Sequence, residues 1–151
     1  MKEPDRLKDW QDLAATSHYL TVLEIENVLA EEDLEATRAG LDALKQALSR
    51  VEKRALTTQL VRLMAHILKW KTQPHKRSRS WTVTIYDARN EIADSQEEVP
   101  SLNQTFIESI WPKADRRARQ QAENEMGVVP VAGELTWEEV FETEYHLLLE
   151  E

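Results

Sequence analysis

Apolar residues in this chain recur at steps of three and four, and no stretch alternates apolar with polar residues in the manner of a strand. The longest stripe runs Leu41, Leu44, Leu48, Val51, then Leu56, Leu60, Leu63, Ile67 and Trp70, with one phase slip near Ala55. Such spacing draws a single apolar line down a helix. In its second half the line broadens, because Val61, Met64 and Leu68 flank Leu60, Leu63 and Ile67. A helix apolar over so wide an arc needs neighbours on two sides, which makes this half the expected centre of the fold. Pro74 stops it, since proline excludes its predecessor from the α region and donates no backbone hydrogen bond.

The same rules place further helices around this one. One is expected over residues 4–18, with Trp10, Leu13, Ala14 and Ser17 on one side. A second runs from about Thr21 through Leu23, Asn27 and Leu34 to a break at Gly40. Ser78 or Ser80 caps a helix whose inward stripe is Trp81, Ile85, Ala88 and Ile92. Ser101 is the expected cap of a helix toward Met126 through Phe106, Ile110 and Ala114, which Pro112 either splits or restarts. Gly127 is a good residue just past a helix end, and Val128 to Gly133 reads as a connector. Thr136-Trp137-Glu138-Glu139 has the form of a capping box opening a last helix with Val140, Phe141 and Leu147. The expected fold is all-α: one domain over residues 1–151, a bundle of about six helices and no sheet.

Composition narrows what such a bundle can do. At 151 residues a chain buries roughly 68–70% of its unfolded surface, enough for a core without covalent staples. The absence of cysteine removes disulfides, thiolate metal sites, iron–sulfur clusters and thiol nucleophiles, and it fits a reducing cytoplasm. Met1-Lys2-Glu3-Pro4-Asp5 carries no apolar segment of a secretory leader, and no apolar run approaches the ~18 residues of a membrane span. A soluble protein with no membrane partner is therefore expected. With 28 acids against 19 bases the net charge is -9, which repels polyanions at long range. Nucleic acid is disfavoured as a partner, and any anion must be held locally.

One window departs from that acidic background. Between Lys69 and Arg79 lie five bases (Lys69, Lys71, Lys76, Arg77, Arg79) and no acid, followed at once by a serine-capped helix start. Basic side chains running into a helix N-terminus make an anion site, with Ser78 and Ser80 as hydroxyl donors. Trp70 and Trp81 flank the window and either close the core at two helix ends or stack on a base. The bland alternative for Lys76, Arg77 and Arg79 is pairing with surface glutamates. The candidate binding residues are His66, Lys69, Arg77, Ser78, Arg79, Ser80 and Arg89.

His66 belongs to a polar stripe of Gln59, Arg62, His66, Lys69 and Gln73. A general base wants an orienting carboxylate and a nucleophile within reach, and the local sequence supplies neither, so no catalytic residue is assigned. Arg62 and His66 resemble the arginine–histidine pairing of HEPN-type helical ribonucleases, with fewer residues between them than that pattern has. His18, His66, His75 and His146 lie far apart, and Glu142 with His146 is the lone neighbouring pair of ligand type. No metal and no cofactor is expected.

His66-Ile67-Leu68-Lys69-Trp70, Gln73-Pro74, Arg77-Ser78-Arg79-Ser80-Trp81, Thr84-Ile85, Arg89 and Pro100-Ser101-Leu102 together resemble the signature of the bacterial domain-of-unknown-function family 29. Members typically read His-Leu-Leu-Lys-Trp, Gln-Pro, Arg-Ser-x-Ser-Trp, Thr-Ile, Arg and Pro-Ser-Leu at this spacing. Trp10 and Leu135-Thr136-Trp137 extend the likeness over most of the chain, with residues 23–53 as a place for an insertion. The resemblance implies an all-helical bacterial domain and brings no activity with it. Two functional readings remain. In the first, the polar stripe and the basic loop at residues 69–81 dock a partner protein or a small anion without catalysis. In the second, a nucleic-acid-handling or phosphate-directed enzyme uses His66 with Arg77, Arg79 and Arg89.

Overall fold

A computed structural model describes residues 3–148, with side chains from Asp9 onward. Its helices are α1 (Glu3–Thr16), α2 (His18–Ala30), α3 (Leu34–Thr72), α4 (Arg79–Glu98), α5 (Gln104–Met126) and α6 (Trp137–Phe141), with a short 3-10 turn at Pro74–Lys76. The fold is an all-α helical bundle, with six helices and no strand among the described residues. They divide into two compact units, one reaching to Lys53 and the other starting at Arg54, and α3 contributes to both.

In the N-terminal unit Ser17 caps α2, its hydroxyl accepting from the Leu20 amide at 3.1 Å. The chain then breaks at Glu32, which takes the left-handed conformation (φ 62°), and Asp33 opens α3 by accepting from the Ala36 amide. The break expected at Gly40 does not occur, because this glycine serves packing and not a turn. A Cβ there would lie 2.9 Å from the Trp10 ring and 2.7 Å from Ile25, so the bare Cα is the seat for those two side chains. Ala36, Gly40, Ala43 and Ala47 form a stripe of small residues at helical spacing, and the three alanines are buried with Trp10, Ala14, Ile25 and Val28. Leu41, Leu48 and Val51, the upper half of the long apolar stripe, are exposed. The slip near Ala55 thus marks where the buried face of α3 changes.

The C-terminal unit is built on the rest of α3. Leu56, Leu60, Leu63, Met64, Ala65, Ile67 and Leu68 are completely buried, as the wide apolar arc requires. Ile85, Ala88 and Ile92 of α4 and Ile107, Ala114, Ala118 and Ala122 of α5 share that core. Ser78 caps α4, as one of the two expected serines, accepting from the Trp81 amide. Asn103 and not Ser101 caps α5, its carboxamide oxygen accepting from Phe106. Pro112 leaves α5 unbroken, and Gly127 ends that helix in the left-handed conformation at φ 77°. The Thr136–Glu139 capping box forms with both reciprocal bonds. Yet α6 stops after five residues, because the chain turns away to bury Tyr145 against Trp70, and Leu147 stays exposed.

Two stability outcomes follow from this packing. Leu63→Ala or Ile67→Ala should cost on the order of 2–5 kcal/mol in denaturant unfolding, through lost transfer energy and an unfilled cavity. Gly40→Ala should destabilise the protein by roughly 1–3 kcal/mol by overpacking against Trp10 and Ile25. Helix propensity alone argues the opposite sign, a gain of about 1 kcal/mol, so a more stable Gly40→Ala protein would refute the close seat.

Candidate functional site

The polar stripe of α3 meets α5. His66 is partly buried, with Nδ1 2.9 Å from the Arg62 carbonyl oxygen one turn earlier. A carbonyl only accepts, so in neutral His66 the Nδ1 carries the proton and Nε2 is the acceptor. Burial holds the His66 pKa below its ordinary value, and Lys69 and Arg62 add to this, against the Arg62 carbonyl and the Glu125 charge. Lys69 is itself buried and closes an ion pair on Glu125 of α5, its Nζ 5.6 Å from the centre of the Trp81 ring. Burial pushes the Glu125 carboxyl up, but the Lys69 ammonium, Gln121 and His66 outweigh it and hold the group below the usual carboxylate range. The carboxylate absent from the local sequence is therefore supplied from α5, and Lys69 has already taken it.

The basic loop is largely turned inward. Trp70 lies four residues before Pro74, so its carbonyl has no intrahelical N–H donor. Arg77 fills that place: its Nε donates to the Trp70 carbonyl at 2.9 Å while the guanidinium lies 4.6 Å over the Trp70 ring. Lys71 pairs with Glu139, and the Ser78 hydroxyl is used in the cap of α4. Arg79 and Ser80 are exposed in the first turn of α4, and His75 and Lys76 are exposed in the 3-10 turn. Of the five bases, only Lys76 and Arg79 direct their charge outward without a partner among the described residues.

Arg89 does a different job. Its Nε donates to the Val140 carbonyl at 2.8 Å and its Nη2 to the Glu139 carbonyl at 3.2 Å, with the guanidinium 5.6 Å from the Tyr86 ring and 5.5 Å from the Tyr145 ring. Burial lowers its pKa, though a guanidinium stays protonated at any physiological pH. The Tyr145 hydroxyl donates to the Glu139 carbonyl at 2.7 Å, and the Tyr145 amide donates to the Tyr86 hydroxyl at 3.0 Å. Burial and the Glu139 charge push the Tyr145 phenol up to about 12. Burial raises Glu139 as well, but Lys71 and Thr136 overcome it and leave this carboxyl below its ordinary value.

The candidate residues accordingly fall into separate groups. His66 and Lys69 face Glu125, Arg77 is held on Trp70, Arg89 is held on two carbonyls of α6, and Ser78, Arg79 and Ser80 open α4. Glu125, Glu139, Tyr86 and Tyr145 complete these groups; of these the sequence marked only Glu139, and that as a capping residue. Among the described residues no three histidine or acidic side chains gather as a metal site, and no helix is long and apolar enough to cross a membrane. In comparison with known proteins, the family model described as Domain of unknown function DUF29 matches residues 41–146. No curated protein and no solved structure matches the chain.

The two best-defined groups give opposite kinds of test. Arg89→Met should cost about 1.5–3 kcal/mol, the worth of hydrogen bonds to a charged donor, and should speed amide exchange across residues 139–145. Unchanged exchange there would mean that Arg89 does not anchor the segment. For His66 the folded protein binds the proton less tightly than the unfolded chain, whose pKa is the ordinary 6.5. Stability from this group is complete above that value and is lost as pH falls toward the lower folded one. Denaturant unfolding at about pH 7.5 and about pH 5.5 should show this loss, and His66→Gln should reduce it.

Proposed function

The chain belongs to the DUF29 family, and we propose that this member is a non-enzymatic helical interaction module. The observation that carries this reading is the apolar surface left uncovered in the N-terminal unit. Tyr19, Leu20, Leu23 and Leu29 of α2 are exposed, Tyr19 by 71%, and Leu34, Leu41, Leu48 and Val51 of α3 are exposed, Leu34 by 70%. Leu34, Leu41 and Leu48 recur every seven residues with Val51 three beyond, which is the heptad spacing of a helix seam, while Leu44 packs partly into the unit's own core. Large apolar side chains repeatedly exposed along a folded unit suit an interaction surface, and this periodicity fits a partner helix. Lys76 and Arg79, exposed in the C-terminal unit, supply a separate contact for an acidic partner or a small anion. The module works in the bacterial cytoplasm, a setting that a cysteine-free chain suits.

Opposing support for an enzyme is thin. Phosphate-directed chemistry by His66 with Arg77, Arg79 and Arg89 needs guanidinium groups that converge, whereas Arg77 and Arg89 are each donating to backbone carbonyls. A tagged wild-type chain recovered from its native cell should bring a partner that Leu41→Lys, Leu48→Lys loses while its helical circular dichroism is unchanged. Retention by that variant removes the helix seam. Loss in Lys76→Glu, Arg79→Glu instead transfers the role to the loop. Phosphodiester turnover that disappears in His66→Ala would overturn the non-enzymatic reading.

A further inference from the structure

A second surface of the C-terminal unit has the makings of a ligand site that none of the groups above uses. Glu108, Trp111, Pro112, Asp115 and Arg116 follow one another at helical steps, so they share a face of α5. Arg119, one turn further, binds Asp115 Oδ2 through Nε at 2.9 Å and reaches across to the Val131 carbonyl through Nη1 at 2.9 Å and the Gly133 carbonyl through Nη2. That fork ties the 131–133 connector to α5 and so sets Glu134, Leu135 and Trp137 opposite the first face. Trp111 and Trp137 stack with ring centres 5.7 Å apart and planes 22° apart, and Phe141 lies 4.5 Å from Trp137. Between the walls is a cleft of about 550 Å³. A space of that size accommodates a small organic molecule.

We infer that this cleft binds an alkylammonium ligand, a small organic cation such as a polyamine or a quaternary amine. Its charged lining is Glu108, Asp115 and Glu134 against one guanidinium, Arg116. Indole faces attract cations more strongly than any other side-chain ring, and the carbon body of an alkylammonium ion lies well on them. One acceptor in the walls also lacks a donor among the described residues. Asp115 Oδ1 is buried without a hydrogen-bond partner, although Arg119 holds the other oxygen. A buried acceptor such as Asp115 Oδ1 calls for an explanation, and an ammonium group that carries N–H donors, as in a polyamine, provides one, whereas a quaternary amine would be held by the rings and the carboxylate charge alone.

Spermidine and choline are the probes, added to the whole protein at low salt and followed by the tryptophan indole N–H signals in NMR and by calorimetry. Either probe should shift the Trp111 and Trp137 signals in a saturable way and leave Trp10 unmoved. Spermidine alone would identify a polyamine site, and choline alone a quaternary-amine site; both support the inference. Glu108→Gln, Glu134→Gln alters exposed side chains that take no part in the Arg119 fork, and should weaken binding roughly threefold or more. Arg116→Ala should tighten it, because the one cation of the lining is gone. Absence of saturable shifts with both probes overturns the inference. So does affinity unchanged in the double glutamate variant, or a response to inorganic phosphate in place of the amines.

Discussion

Complete burial of Leu60, Leu63, Met64, Ala65, Ile67 and Leu68 leaves the second half of α3 almost no side to give to water. Every other element of the C-terminal unit is arranged to meet that demand. The inward residues of α4 and α5 are spaced to lie on it, and the alanines at 114, 118 and 122 let α5 come close. The end of such a helix is also buried, and its carbonyls must find donors. Proline at position 74 makes this harder by withholding one, so Arg77 is drawn back over Trp70 to supply it. A residue that looks from the sequence like a free charge for a ligand is thus required by the helix that precedes it.

The same logic accounts for most of the positive window. In a protein of net charge -9 each base near the core finds an acid from a distant element, Lys69 on Glu125 and Lys71 on Glu139. These pairs sit at the margin of the core, where an unpaired ammonium would carry a desolvation cost. Of the bases in this window, Lys76 in the 3-10 turn and Arg79 in the first turn of α4 are exposed and escape it. Arg89 shows a related outcome with neutral acceptors: two carbonyls of the segment around α6 and two phenol rings surround one guanidinium. A five-residue helix has too few internal bonds to stand by itself, and this cation with Tyr145 is what holds it.

Helix class and the central role of residues 56–70 could be read from periodicity because burial on two sides leaves an unmistakable width of apolar residues. Ser78 and Thr136 could be read because capping is local chemistry within three residues. Gly40 could not, since the turn-forming and the space-making uses of glycine look alike until Trp10 is known to lie over it. Nor could the exposure of Leu41 and Leu48: an apolar stripe announces a contact without saying which contact, and here alanines one step aside take the buried face. Ser101 lost the cap of α5 to Asn103 by two positions, within the latitude of any such boundary. In the candidate site His66 and Arg89 were visible, whereas Glu125 and the carbonyls at 139 and 140 are fifty or more residues away and carry no local mark.

The stacked indoles of Trp111 and Trp137 have an optical consequence. Rings 5.7 Å apart with nearly parallel planes do not absorb independently; their excited states mix and contribute rotational strength of their own. The ultraviolet ellipticity of this protein is then a sum of a helical backbone signal and a chromophore pair signal. A chain altered at either ring would look as though it had gained or lost helix when no turn had changed, and infrared amide bands, blind to the indoles, would report its backbone faithfully.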